Sequence, residues 1–229
     1  MAVSQYLEHL GIQIASGLVI NTSHVNKFGY NPSLSSSLQT VTDIGGVYSY
    51  IQTAGPATVT GASDAGAVIN VQGLNENYDL INENITVGNT STNSFIRVFR
   101  ARVVSLTTGD VNVGNITVTV DGAIRATILA GTGQTLMALY TIPRNTTGYL
   151  VKFQGSVAKS QEIVFKLFSR KIDEGAFNLK GQFGTFASPI TYDYPVPLLF
   201  EEKTDIEVRA VAGATAAGGA IFDLILVRK

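Results

Sequence analysis

Hydrophobic and polar residues alternate with a period of two along much of this 229-residue chain. The alternation is clearest in ITVTV at 116–120, EIVFKLF at 162–168 and DIEVRAV at 205–211. Because successive side chains of a β-strand point to opposite faces, each segment is predicted to be a strand with one buried face. In the third segment this alternation places Asp205 and Glu207 on the exposed face. Short strands separated by turn residues are typical of an antiparallel sandwich or barrel.

The dipeptide Asp121-Gly122 separates two of these predicted strands. A two-residue type I′ turn requires positive φ at both central positions, and Asp-Gly is one of the dipeptides that adopt it. The sequence therefore predicts a β-hairpin centred on Asp121 and Gly122.

Three arginines, Arg97, Arg100 and Arg102, fall within the predicted strand at 94–104, with phenylalanines between them. Arginine beside aromatic residues can stack on nucleic acid. A nucleic-acid domain carries a basic patch, however, and this chain has a net charge of -1. We therefore expect no nucleic-acid partner and favour salt bridges at a subunit interface for these arginines.

Helical spacing of apolar residues is confined to the start of the chain, where Ser4 is a candidate N-cap and Gly11 a candidate stop. Small residues dominate up to about residue 60, and strand patterns become denser afterwards. We expect an N-terminal arm or small subdomain at 1–60 and a β-sandwich domain at 61–229. The expected fold class is all-β: an antiparallel, jelly-roll-like β-sandwich with an N-terminal arm and little helix.

Charged residues make up only 14% of the chain, against roughly 25% in an average soluble protein. Low charge gives weak colloidal protection and favours a surface that is covered by partners. A polar but uncharged surface rich in Ser, Thr and Asn accounts for the same composition. Glu8 and His9 interrupt the only stretch that could act as a signal peptide, and the apolar runs are too short to span a bilayer, so no membrane partner is expected.

Catalytic and metal-binding patterns are sparse. The absence of cysteine excludes disulfides and thiolate chemistry, and the two histidines, His9 and His24, both lie near the N-terminus. No nucleophile elbow, zinc-ligand spacing or ordered calcium loop is present. We expect no catalytic residue, cofactor or metal site, and a protein that is not an enzyme.

The stretch TYDYPVPLLF at 191–200 places Tyr192 and Tyr194 beside Pro195 and Pro197. Each proline removes a ladder donor, so a central strand is not expected here. Two exposed tyrosines beside a rigid turn could bind a host glycan. Packing against the end of the sandwich or against another subunit is the structural alternative, and we favour it.

Several motifs resemble those of tailed-phage virion proteins, as in phages of aquatic bacteria. They are Lys27-Phe28-Gly29, Asn31-Pro32, Asp43-Ile44-Gly45-Gly46, and the later blocks at 134–150 and 195–210. The sequence departs from the expected pattern at Tyr30, where arginine is expected, and in a serine-rich rather than acidic stretch before the Gly-Gly. The resemblance implies a non-enzymatic bacteriophage structural protein, located in the virion and assembled in the host cytoplasm.

A capsid decoration or cement protein is the first expectation, with a tail or neck component or a carbohydrate-binding adhesin module as alternatives. The expected partners are further copies, as a trimer or ring, and other virion proteins such as the major capsid protein. A glycan-cleaving depolymerase is disfavoured, since no β-helix repeat is visible. The segment at 26–50 is expected to be a docking arm, or else a loop over one end of its own sandwich. The expected interface residues are Phe28, Tyr30, Asn31, Pro32, Gly45, Gly46, Tyr48 and Tyr50.

Overall fold

The alternating segments form strands in a computed structural model of the chain, which describes residues 10–158 and 161–229. The strands are β1 Thr22–Leu34, β2 Gln39–Thr40, β3 Gly55–Thr60, β4 Val68–Leu74, β5 Leu80–Thr86, β6 Thr90–Phe95, β7 Arg97–Ser105, β8 Ile116–Val120, β9 Ala123–Ile128, β10 Leu139–Thr141, β11 Thr146–Val157, β12 Glu162–Arg170, β13 Asn178–Phe186, β14 Ile190–Phe200, β15 Asp205–Ala212 and β16 Ala216–Arg228. A short helix, α1 Leu10–Ala15, and a single 3₁₀ turn at Ala62–Asp64 complete the described elements. All the strand pairs are antiparallel, so the expected all-β class is confirmed.

Two sheets built from the start and the second half of the chain form a sandwich. One has the order β1-β16-β11-β14. In the other, β15 pairs with β12, and β12 with β13, while β2 and β10 share the opposite edge of β15. With β2 and β10 counted as one interrupted strand, this is the strand order of a jelly roll. The predicted sandwich is thus confirmed in class, and the structure supplies its strand order.

The interruption between β2 and β10 holds a second pair of sheets, with the orders β6-β3-β8-β9 and β5-β4-β7. The chain leaves the jelly roll at Val41 and returns at Ala138. The Ala138 amide donates to the Val41 carbonyl (3.0 Å), and both residues hydrogen bond to the backbone of Val208 (2.9 Å each). The exit and the return of the inserted segment are therefore tied to each other and to β15.

Strand pairing divides the chain differently from the predicted boundary between 1–60 and 61–229. That boundary falls directly after β3, inside the inserted sheets, while β1 and β2 pair with strands of the C-terminal half. Buried side chains of both pairs of sheets belong to one continuous core, with Phe95 in the inserted sheets and Phe153 and Phe222 in the jelly roll.

The predicted hairpin is confirmed. β8 and β9 are joined by Asp121 (φ 53°) and Gly122 (φ 69°), and Val120 pairs with Ala123. Both central residues have the positive φ that a type I′ turn requires.

The segment predicted as an arm includes a long strand of the jelly roll, because β1 pairs with β16 from Thr22 to Leu34. Its inward-facing positions include Lys27, Gly29 and Asn31, all buried. A lysine, a glycine and an asparagine occupy positions where a half-buried strand normally carries apolar residues. The hydrophobic pattern therefore concealed this strand.

The expected exposure of Asp205 and Glu207 is wrong, since both side chains are buried. β15 lies between neighbours on both edges and is covered on both faces. Arg97 is also buried and pairs with Asp205 of the same chain (Nε to Oδ1, 2.8 Å). It therefore does not supply the expected salt bridge at a subunit interface.

At the N-terminus, Gly11 lies inside α1 rather than ending it, and Ile14 is the buried residue of this helix. The candidate cap Ser4 and the histidine His9 lie outside the described residues.

Candidate functional site

The most exposed part of the jelly roll is formed by β13 and β14, residues 178–200, which we name the β13–β14 surface. Most side chains here are exposed on both faces of the strands. Its large exposed apolar residues are Leu179 (50%), Phe186 (65%), Tyr192 (46%), Val196 (80%) and Leu199 (57%). Its only charged residues are Lys180 and Asp193. These exposed apolar residues on two neighbouring edge strands, with almost no charge among them, make this surface the candidate interaction site.

Both strands are also open edges among the described residues, because there β13 pairs only with β12 and β14 only with β11. Open edges are usually protected by charges, prolines or bulges. Such protection lies at one end of this surface: Lys180 occupies a register shift in β13, and prolines interrupt β14. The stretch from 181 to 192, around the turn that joins the strands, contains no charged residue, and Pro189 in that turn is its only proline. The unprotected part of the edge therefore lies next to the β13–β14 turn.

Pro195 and Pro197 lie in an irregular stretch of β14. Lys152 pairs with Asp193 and Leu150 with Leu198, so the intervening residues of β14 are not registered with β11. Prolines are tolerated on an edge strand and in bulges, where no ladder donor is needed. The expectation that this stretch is not a central strand is therefore confirmed.

Tyr192 and Tyr194 belong to a row of aromatic rings between the two open edges. Phe183 stacks on Phe153 (centroids 4.3 Å apart), Tyr192 lies against Phe183 (5.6 Å), and Tyr194 meets Tyr192 edge to face (4.7 Å). Burial raises the pKa of the Tyr194 hydroxyl to about 12, with a smaller contribution from Tyr192. This row packs the open end of the sandwich and leaves one side of Tyr192 exposed.

The predicted interface residues divide into buried and exposed sets. Tyr48, Tyr50 and Asn31 are buried within this chain, so their side chains are not accessible for docking in this conformation. Tyr48 donates to the Val98 carbonyl (3.2 Å) and Tyr50 to Glu207 (3.1 Å).

The remaining residues of that prediction are at least partly accessible. Phe28 is half-buried beside the Arg100 guanidinium, 5.9 Å from its ring centroid. Tyr30, Pro32, Gly45 and Gly46 are exposed, and both glycines have positive φ (77° and 66°). Docking through these residues stays a prediction. Sequence reasoning singled out residues 191–200 in β14 but missed β13, although the near absence of charge in both strands is visible in the sequence.

A cluster of metal-binding side chains is not formed in the described part of the chain. No group of three or more His, Asp or Glu side chains there is placed to hold a metal ion. His24 pairs with Asp223 (3.0 Å), which also accepts a hydrogen bond from Asn26 (2.7 Å). None of the described helices is long and apolar enough to cross a membrane.

Asp43, in the motif Asp43-Ile44-Gly45-Gly46, is a partly buried carboxylate with one unsatisfied oxygen. Its Oδ2 accepts a hydrogen bond from the Leu136 amide (3.3 Å), while Oδ1 is buried with no partner among the described residues. Burial raises the pKa of this carboxyl from 3.8 to about 7, against the hydrogen bond from Leu136, which lowers it. The folded chain therefore favours protonated Asp43.

We expect the contribution of Asp43 to the free energy of unfolding to fall as the pH rises from 3.8 to about 7, because Asp43 ionises first in the unfolded chain. Each pKa unit corresponds to about 1.4 kcal/mol, so the loss is at most a few kcal/mol. Asp43→Asn should flatten this part of the profile in urea unfolding measured across the pH range. Asp110→Asn changes an exposed carboxylate and should leave the slope unchanged. Equal slopes for the wild type and Asp43→Asn would contradict the assignment.

Comparison with known proteins gives little further information. No protein-family model and no curated protein matches the chain. Among solved structures, the chain is similar to "Structure of infectious bursal disease virus Gt strain" with 10% identity and a TM-score of 0.24, covering 91% of this chain and 73% of that one. It is similar to the corresponding Gx strain structure with 10% identity and a TM-score of 0.21, covering 90% and 75%. Likeness at this level carries no argument about fold or function.

Proposed function

We propose that this chain is a non-enzymatic virion structural protein, and specifically a capsid decoration or cement protein of a tailed phage. The observation that carries the proposal is the β13–β14 surface, which combines open strand edges, exposed apolar side chains and almost no charge. In this proposal the surface pairs with a neighbouring copy or with the shell. The motif resemblance of residues 27–46 to tailed-phage virion proteins supports the same role.

The energetics of the surface favour burial in an assembly. Complete burial of an apolar side chain such as Phe, Leu or Val contributes ~1.5–3 kcal/mol. Phe186, Val196 and Leu199 are each more than half exposed, so burying them in an interface recovers much of that amount. A protein that assembles in many copies buries such side chains between copies. Its low overall charge removes much of the repulsion between those copies.

The jelly roll is compatible with this role without identifying it. Jelly rolls occur in viral capsid and lectin domains, and the fold alone does not define function. The exposed side of Tyr192 is the observation that favours a glycan-binding adhesin as the second candidate. A tail or neck component would use the same assembly surface.

The experiment that tests the proposal measures mass in solution by light scattering. The wild type is expected to form a defined oligomer, and Phe186→Lys to shift it toward monomer by weakening association roughly tenfold or more, as for the removal of an interface hot spot. Glu162 pairs with Phe186 across β12 and β13, so the new lysine has a carboxylate neighbour and the monomer should stay folded.

The matched control is Val113→Lys, which changes an equally exposed apolar residue (68%) in the inserted segment. It should keep the oligomer. A monomeric wild type that also fails to co-sediment with the shells of its virion would contradict the proposal. Glycan binding by that monomer, lost in Tyr192→Ala, would support the adhesin instead.

A further inference from the structure

A cavity of about 320 Å³ lies between β1 of the jelly roll and the sheet formed by β5, β4 and β7. Its lining includes Lys27, Gln72, Phe99, Arg100 and Tyr140. None of its lining residues is an aspartate or a glutamate. The lining therefore carries basic side chains and no carboxylate of its own, and the nearby Asp223 carboxylate hydrogen bonds to the lining residues His24 and Asn26.

Lys27 is the most deeply buried charged group in this cavity, with 3% of the residue exposed. Its Nζ donates to the Phe99 carbonyl and lies 5.6 Å from the centroid of the Phe99 ring. No carboxylate of the described chain lies within salt-bridge distance of it. An ammonium group so placed has lost most of its hydration without gaining a counterion, which is costly.

Arg100 adds a second positive charge. Its Nη2 donates to the Asn26 carbonyl (3.1 Å), and it too has no carboxylate partner in the part of the chain that the structure describes. Burial, and then the charge of Arg100, lower the pKa of Lys27 well below its usual range. In its charged form Lys27 is therefore repelled by Arg100, which lines the same cavity.

Arg97, Arg209 and Arg125, which are also buried or partly buried cations, lie outside this cavity. Arg97 and Arg209 pair with the buried carboxylates Asp205 and Glu207. Arg125 is held by the carbonyls of Val120 and Ser49 and does not line this cavity.

The cavity also offers a neutral donor. The Tyr140 side chain is buried, its ring lies 4.7 Å from that of Phe99, and its hydroxyl has no hydrogen-bond partner among the described residues. Two cations and a free hydroxyl donor are the groups that recognise an oxyanion. The volume exceeds that of a single water molecule several times over.

We propose that this cavity binds a small oxyanion, a carboxylate or phosphate group, between Lys27 and Arg100, with Tyr140 as an additional donor. The anion supplies the counter-charge that the chain itself lacks at this position. The inference does not depend on the proposed virion role, since it rests on the cavity alone.

The test titrates the full-length chain with sodium phosphate and, separately, sodium acetate, at constant ionic strength made up with sodium chloride. Binding is measured by calorimetry and by the increase in melting temperature, which a ligand of the folded state produces. We expect one of the two probes to bind at a single site, and the tighter one identifies the anion class.

Lys27→Met and Arg100→Gln should each weaken that binding by roughly tenfold or more, because each removes a charge-assisted hydrogen bond. Arg102→Gln is the matched control: this exposed arginine lies in the same strand but outside the cavity, and its loss should change affinity less than about twofold, by screening alone. If Lys27→Met does not fold, the half-buried Arg100→Gln still decides the question. No binding of either probe by the wild type, or unchanged affinity in Arg100→Gln, would overturn the proposal.

Discussion

Replacement of Asp205 by asparagine is expected to lower the free energy of unfolding by ~3–5 kcal/mol, the range for breaking a buried ion pair by removing one partner. The Asp205 carboxylate is buried and accepts hydrogen bonds from both Nε (2.8 Å) and Nη2 (3.0 Å) of Arg97. It also accepts hydrogen bonds from Nη2 of Arg170 (2.7 Å) and from the hydroxyl of Thr141 (2.7 Å). Asparagine preserves the shape of the side chain but leaves two guanidinium groups without an anion.

The expected effect is large because this network joins the two pairs of sheets. Asp205 belongs to β15 of the jelly roll and Arg97 to β7 of the inserted sheets. Both arginines also lie over the ring of Tyr50, Arg97 at 5.1 Å and Arg170 at 4.8 Å. Since domains of this kind are stable by only about 5–15 kcal/mol, the loss is a substantial fraction of the total.

The measurement is urea unfolding followed by intrinsic tyrosine fluorescence and circular dichroism. The matched control is Glu201→Gln, which removes the carboxylate of an exposed pair with Lys171 (2.9 Å) and should have a much smaller effect, because solvent screens an exposed pair. Equal destabilisation by the two substitutions would contradict the assigned role of Asp205. Arg170→Gln removes only one of the two arginines and should have an intermediate effect.

Local sequence patterns predicted the parts of the fold that depend on neighbouring residues. The β8–β9 hairpin follows from Asp121-Gly122, because the turn geometry is set by two residues. The buried face of β12 follows from the alternation of Ile163, Phe165 and Leu167, which are all fully buried.

Features that depend on distant pairing were not predicted. β1 carries Lys27 and Gly29 on its inner face, and only its pairing with β16 makes it a strand. No local sequence pattern predicts the insertion between β2 and β10. These two short strands are recognised as one interrupted strand only because both pair with the same edge of β15. The burial of Asp205 likewise depends on Arg97, more than one hundred residues away, so a period-two pattern alone does not show that the face of β15 carrying Asp205 is also covered.

The candidate site shows the same limit. Residues 26–50 drew attention by their motifs, yet Tyr48 and Tyr50 are buried in the core. Only the 191–200 part of the β13–β14 surface was singled out from the sequence, and the exposure of the whole surface follows from the position of both strands at the edges of their sheets.

Gly29→Ala is expected to destabilise the chain by roughly 3–5 kcal/mol or to prevent folding, which places it among the most damaging single substitutions. An added Cβ at this position would lie closer than 3.0 Å to the Val41 carbonyl oxygen and the Ala138 amide nitrogen. These two atoms form the hydrogen bond that joins the start and the end of the inserted segment. Because both are backbone atoms, no rotation of a side chain can relieve the overlap.

The control is Gly55→Ala in β3, where the added Cβ would make only an ordinary contact of 3.9 Å with Val120. It should change the free energy of unfolding by less than about 1 kcal/mol, since alanine also restricts the unfolded chain. Melting temperature and urea midpoint measure both variants. If Gly29→Ala were as stable as Gly55→Ala, β1 would not pack against Val41 and Ala138, and the glycine of the Lys27-Phe28-Gly29 motif would need another explanation.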